Sequence, residues 1–154
     1  MALTADIITP RYGAGGTLNN KGLTANATVY RGSVATTRSG YLVAASSPAS
    51  TDIVWGIIAD GVGSGSDTQG ITGASTNGGV TVDIETGTFF LAGGTSSDAL
   101  VATDVGATVY LIDEKTVGKT SNGNTRPVAG VLEFVDPTYG LAVKLGSNQS
   151  TGSP

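Results

Sequence analysis

Gly79-Val80-Thr81-Val82-Asp83-Ile84-Glu85-Thr86-Gly87 is the stretch whose reading decides the fold. Val80, Val82 and Ile84 alternate with Thr81, Asp83 and Glu85, a period of two that puts one dry and one wet face on an extended strand. Directly after it, Thr88 to Ala92 carries Phe89 and Phe90, with Gly87 placed to kink the chain between the two segments. Upstream, Ile53-Val54-Trp55-Gly56-Ile57-Ile58-Ala59 is the most continuously apolar run and reads as a strand buried on both faces, Gly56 marking a bulge or a close approach. Ala27–Arg31 and Tyr41–Ala45 are shorter strands punctuated by Gly32 and by Ser39-Gly40.

Downstream, Ala107–Asp113 and Thr116–Thr120 precede an Asn-Gly turn at Ser121–Asn124, and Val128–Val135 pairs with Tyr139–Leu145. Leu141, Val143 and Leu145 form a second clean period-two face. The only helical signal is weak: Ser96, Ser97 and Asp98 could cap one turn within 96–105. About nine short strands at turn-punctuated spacing predict an all-β fold, a single β-sandwich or barrel-like domain of antiparallel strands over residues 27–145.

Composition agrees. Gly, Thr, Ser and Ala fill 77 of the 154 positions, which starves helices of most good formers and leaves Thr and Val to favour strands. Residues 1–26, with Pro10, Gly13–Gly16 and Asn19–Gly22, read as an extended N-terminal arm too poor in large apolar groups to order itself without a partner. Residues 146–154 read as a flexible polar tail. The N-terminus lacks the basic and apolar regions of a secretory signal, and no apolar run approaches the ~20 residues of a bilayer span, so a soluble, cytoplasmically made chain without membrane contact is expected.

There is no His and no Cys. A Ser-His-Asp triad, a thiolate nucleophile and an ordinary zinc site are therefore unavailable, and a general base would have to be a tuned carboxylate or lysine. No catalytic residue, cofactor or metal is expected. Gly118-Lys119-Thr120 is not a phosphate loop, because Asp113 stands where the leading glycine must be. Gly61-Val62-Gly63-Ser64-Gly65 has the wrong spacing for a dinucleotide fingerprint, and the segment to Asp67 reads as a loop. Asp60 and Asp67 could flank a calcium ion only as a minority reading, without the ladder of an EF-hand. Asp83 and Glu85 suit solubility and edge protection better than a glycosidase pair. Trp55 reads as a core anchor, with a binding-face aromatic as the alternative.

Charge is uneven. Residues 1–50 hold Arg11, Lys21, Arg31 and Arg38 against Asp6, whereas 51–114 hold nine carboxylates and no Lys or Arg. Solvated loops explain this, or else a basic arm suited to an acidic neighbouring surface. A chain of net charge −4 with so few cations is a poor nucleic-acid binder.

Met1–Asp6 with Thr9-Pro10-Arg11, together with Thr103–Asp113, Thr116–Thr120, Arg126 and Ala129-Gly130-Val131, resembles a family of capsid decoration, or cement, proteins of tailed bacteriophage heads. The likeness covers residues 1–11 and 103–145. It departs at Ile7-Ile8 and Tyr12–Gly16, where the family is more polar and charged. The resemblance implies a virion structural protein on the outer surface of the head. Its partners would be the major capsid protein and itself, as a homo-oligomer with a trimer favoured over a dimer. A phage tail, baseplate or adhesin-type β-module binding protein or carbohydrate is the alternative. The expected grip is the arm: Leu3, Ile7, Ile8, Tyr12 and Leu18 to enter surface grooves, and Asp6, Arg11 and Lys21 to fix register at the rim, the whole ordering on the partner.

Overall fold

The computed structural model describes residues 3–12, 15–61 and 70–146. The loop from Val62 through Asp67, the side chain of Asp60, Gly13-Ala14 of the arm and the tail from 147 onward lie outside that description, so the minority cation reading does too. Among the described residues the chain forms β1 (Thr17–Gly22), β2 (Thr28–Val29), β3 (Val34–Arg38), β4 (Tyr41–Val43), β5 (Ile53–Gly61), β6 (Ile71–Thr72), β7 (Thr81–Glu85), β8 (Thr88–Gly93), β9 (Thr108–Asp113), β10 (Thr116–Gly118), β11 (Val128–Asp136) and β12 (Gly140–Leu145). The capping signal at Ser96–Asp98 yields only a 3₁₀ turn there and another at Ala102–Asp104. No helix among the described residues is long and apolar enough to cross a membrane.

The fold is all-β. A five-stranded sheet runs in the order β1-β7-β5-β3-β4, and five further strands close into a barrel, β10-β8-β12-β11-β9. Among the described residues the strand pairings are antiparallel except β8 with β10, and an isolated bridge from Leu23 to Leu42 is parallel as well. Gly87, at φ +130°, sits where the chain leaves the sheet as β7 and enters the barrel as β8, a backbone conformation that favours glycine. Close packing fixes Gly56 as well: a Cβ there would run into the backbone carbonyl of Glu85 on the neighbouring strand.

Alternation along the strands builds two apolar clusters. Phe89, Leu91, Val109, Leu111, Leu132, Leu141, Val143 and Leu145 fill the barrel, and Val34, Val54 and Ile57 from the sheet pack against them. Val82, Ile84, Ala35, Ile58 and Leu42 join Leu23, Val29 and Ile71 in the second cluster. Both period-two faces of the sequence, Val80/Val82/Ile84 and Leu141/Val143/Leu145, are buried as expected.

Three expectations are corrected. Residues 17–22 are not arm but strand β1, in register with β7 (Leu18 opposite Ile84, Lys21 opposite Val82), so the sheet begins before residue 27. Consequently Asp83 and Glu85 do not guard an edge: β7 lies between β1 and β5, and Asp83 Oδ1 accepts the Asn20 N–H at 3.0 Å beside the bulge between Leu18 and Lys21. Trp55 is only partly buried, flanking the second cluster, with its Nε1 donating to Thr37 Oγ1 at 2.8 Å and Lys21 Nζ 4.2 Å from its ring centre.

One polar node ties the Ser96–Asp98 turn to the loop after β10. Asp98 Oδ1 accepts from Thr120 Oγ1 (2.7 Å), the Thr120 N–H (3.1 Å) and Arg126 Nη1 (2.9 Å). The Thr120 hydroxyl above all, then Arg126, holds the Asp98 carboxyl below the usual carboxylate range. Its stabilising contribution is therefore complete above the unfolded value of roughly 3.9 and is lost as pH falls through the lower folded value. An Asp98→Asn chain should be less stable by about 1–2 kcal/mol at neutral pH, and the gap from wild type should narrow in denaturant melts as pH falls through the lowered folded value. A gap that stays constant into strong acid would remove the carboxylate from this role.

Candidate functional site

Residues 3–12 are laid along the molecule. The Leu3 N–H donates to Glu114 Oε1 (2.8 Å), and the Ile7 N–H to the Arg31 carbonyl (2.9 Å). Asp6 accepts the Arg31 backbone N–H (2.9 Å) and its Nη1 (3.1 Å). Gly32, at φ +85°, leaves the room that the Ile7 backbone occupies. Residues 10–12 then pair with the start of β8: Phe90 donates its N–H to the Pro10 carbonyl (2.9 Å), and Tyr12 its N–H to the Thr88 carbonyl (2.7 Å). The arm adds to the barrel wall ahead of the point where β10 meets β8 at Ala92 and Gly93.

These contacts divide the eight expected site residues. Leu18 packs against the second cluster and Lys21 covers Trp55, so both serve the sheet. Leu3, Asp6 and Ile7 tether the arm. Arg11 Nη2 donates to the carbonyls of Thr86 (3.0 Å) and Gly16 (3.3 Å), and its guanidinium lies 5.2 Å from the Phe89 ring centre. The cations of residues 1–50 are thus engaged within the chain, Arg38 included: its guanidinium grips the buried Asp52 at 2.7 and 2.8 Å. A basic arm reaching for an acidic neighbour loses its basis.

Only Ile8, 94% exposed, and Tyr12 remain for contact, and the structure joins them to residues the sequence did not single out. The β8–β12 and β12–β11 registers place Phe90, Ala142 and Phe134 in one row across the barrel's outer wall. Tyr12 bridges that row: its ring stacks on Phe134 (centroids 5.7 Å, 15°) and meets Phe90 edge-on (5.5 Å, 80°), and Ala142, between those two in register, is fully buried. Tyr139, 62% exposed, leans on Phe90 at 5.5 Å.

Phe134 reaches the surface because of a bulge. Leu132 opposes Val143 but Phe134 opposes Ala142, one extra residue on β11 that turns Phe134 away from the side Leu132 faces. Simple alternation from Leu132 would have buried it, so no sequence signal identifies it. Phe90 was findable, since it alternates with Phe89 and Leu91, which face the core.

Beside the aromatic row lies a groove of about 380 Å³, floored by Phe90–Ala92 and walled by Ile7–Pro10 on one side and Pro137–Gly140 on the other. Among the described residues Lys115 is the only charged one that lines it. Among the described residues no group of three or more metal-ligating side chains assembles. The Gly118-Lys119-Thr120 lysine is paired with Asp104 at 3.1 Å. The site offers apolar, largely uncharged contact area. No protein-family model, no curated protein and no solved structure matches the chain.

Proposed function

We propose that this chain is a structural virion protein, a decoration or cement protein that binds the outer surface of a phage head and bridges neighbouring major capsid protein subunits. The observation that carries the reading is the aromatic surface formed by Tyr12, Phe90, Phe134 and Tyr139 with Ile8 beside it. Contiguous exposed apolar area of this kind, low in charge and rich in Tyr and Phe, is the composition of a protein–protein interface core. The resemblance at residues 1–11 and 103–145 supplies the kind of partner, and the missing His and Cys fit a chain whose work is binding. It acts without catalysis or cofactor, away from nucleic acid and membrane, and it self-associates, a trimer favoured over a dimer. Bridging many equivalent sites multiplies modest contacts.

Purified heads should carry the chain in a large, fixed molar ratio to the major capsid protein, and added chain should restore that ratio on heads stripped of it. A tail, baseplate or adhesin module is the second reading, favoured by the exposed Tyr139 face beside a groove, which could also stack on a sugar ring. Its signature is a few copies per particle, found with tails and absent from tailless heads.

A further inference from the structure

The geometry points to the groove between the arm and the β11–β12 turn as the seat of one extended segment of the partner, apolar along its length and carrying a carboxylate where it passes Lys115. This rests on the cement reading and specifies its contact. The shape selects a strand-like occupant. One wall is the segment Ile7–Pro10, held along the molecule by the Ile7 N–H on the Arg31 carbonyl and the Phe90 N–H on the Pro10 carbonyl. The other is the turn Pro137–Gly140, so the opening is a trough with the outer face of β8 as its floor.

Its walls select apolar side chains: Ile8, almost fully exposed, overhangs one side, and Tyr139, held by Phe90, stands on the other. Two prolines, Pro10 and Pro137, stiffen the rims, so little entropy is lost on closing around a ligand.

Charge selects the carboxylate. Arg31, Arg38, Lys119 and Arg126 form ion pairs, Lys21 lies on Trp55, and Arg11 is spent on carbonyls. Lys115 makes no ion pair among the described residues. The nearest acid in sequence, Glu114, is buried and turned to the Leu3 N–H. An exposed ammonium lining an otherwise uncharged trough is complemented by an incoming anion, which also fixes the segment's register. Lys144, which is exposed and also makes no ion pair among the described residues, does not line the groove.

Full-length chain and three variants, Tyr139→Ala, Lys115→Glu and Lys144→Glu, are titrated onto heads stripped of the chain and cosedimented at several salt concentrations. The altered side chains are exposed, so melting temperatures should match wild type. Expected are losses of about tenfold or more for Tyr139→Ala and Lys115→Glu, no change for Lys144→Glu, and a flatter salt dependence for Lys115→Glu. Wild-type binding with both groove variants within twofold of it overturns the inference and leaves the cement reading intact. An equal loss for Lys144→Glu overturns the register role of Lys115 in favour of diffuse attraction. Failure of wild type itself to bind overturns both readings.

Discussion

A Val82→Asp chain should not fold. Val82 is fully buried in the middle of β7, whose own neighbours β1 and β5 flank it on both sides. The second cluster around it is made of the apolar side chains of Leu23, Leu42, Ile58, Ile71 and Ile84, and the indole N–H of Trp55 at its margin is already given to Thr37. The one cation in register with it, Lys21, is occupied over the Trp55 ring, and drawing it inward would strip that contact and desolvate the ammonium. An unpaired buried charge costs more than about 4–5 kcal/mol, comparable with the whole stability of about 5–15 kcal/mol of a domain this size. Circular dichroism at room temperature should therefore report a disordered chain. A cooperative melt close to that of wild type would mean that the dry face of this strand points elsewhere.

The strand around Val82 shows how far sequence reading reaches. Alternation is a local property, so Val80–Ile84 and Leu141–Leu145 were legible, as was the kink at Gly87, while the passage from sheet to barrel at that kink was not. Strands that rely on partners for their identity were not. β3 is Val-Ala-Thr-Thr-Arg, and its two threonines are buried only because neighbouring strands supply partners, Val43 O for Thr36 Oγ1 and Trp55 Nε1 for Thr37 Oγ1. β1 is Thr-Leu-Asn-Asn-Lys-Gly, polar enough to read as linker, and it becomes a strand through its register with β7.

The candidate surface was half legible for a related reason. Ile8 and Tyr12 stood out as large apolar residues in a poor segment, but Phe134 is exposed by a bulge and Tyr139 gains its meaning from Phe90 across the wall. Bulge position depends on the pairing of two distant segments, which composition does not encode. The charge asymmetry misled in the opposite direction: it was real, yet Arg31 and Arg38 are consumed by Asp6 and Asp52.

Removing residues 1–12 should lower both the melting temperature and the occupancy of heads, because the arm is part of the wall it lies on. A segment waiting for its partner would leave the domain's stability untouched when deleted. Here the deletion strips the hydrogen bonds of Leu3 with Glu114, Ile7 with Arg31, and Pro10 and Tyr12 with β8. It also takes away the Asp6–Arg31 pair and the Tyr12 ring bridging Phe90 and Phe134.

Glu114 suffers most. It is buried, burial already pushes its carboxyl upward with Asp113 adding to the effect, and the Leu3 N–H opposes that push. Each hydrogen bond nets about 0.5–1.5 kcal/mol, so the loss of several of them together sets a scale of about a few kcal/mol. A deficit of about 2–3 kcal/mol, lowering the melting temperature by about 5–10 °C, is the expected balance. Occupancy should fall further than stability, since Ile8 and Tyr12 leave with the segment and the trough loses one wall. Calorimetry and cosedimentation on the same preparation separate the two effects. An unchanged melting temperature with lost binding would return the arm to the role of a free tether, and full binding by the truncated chain would move the contact off the aromatic row altogether.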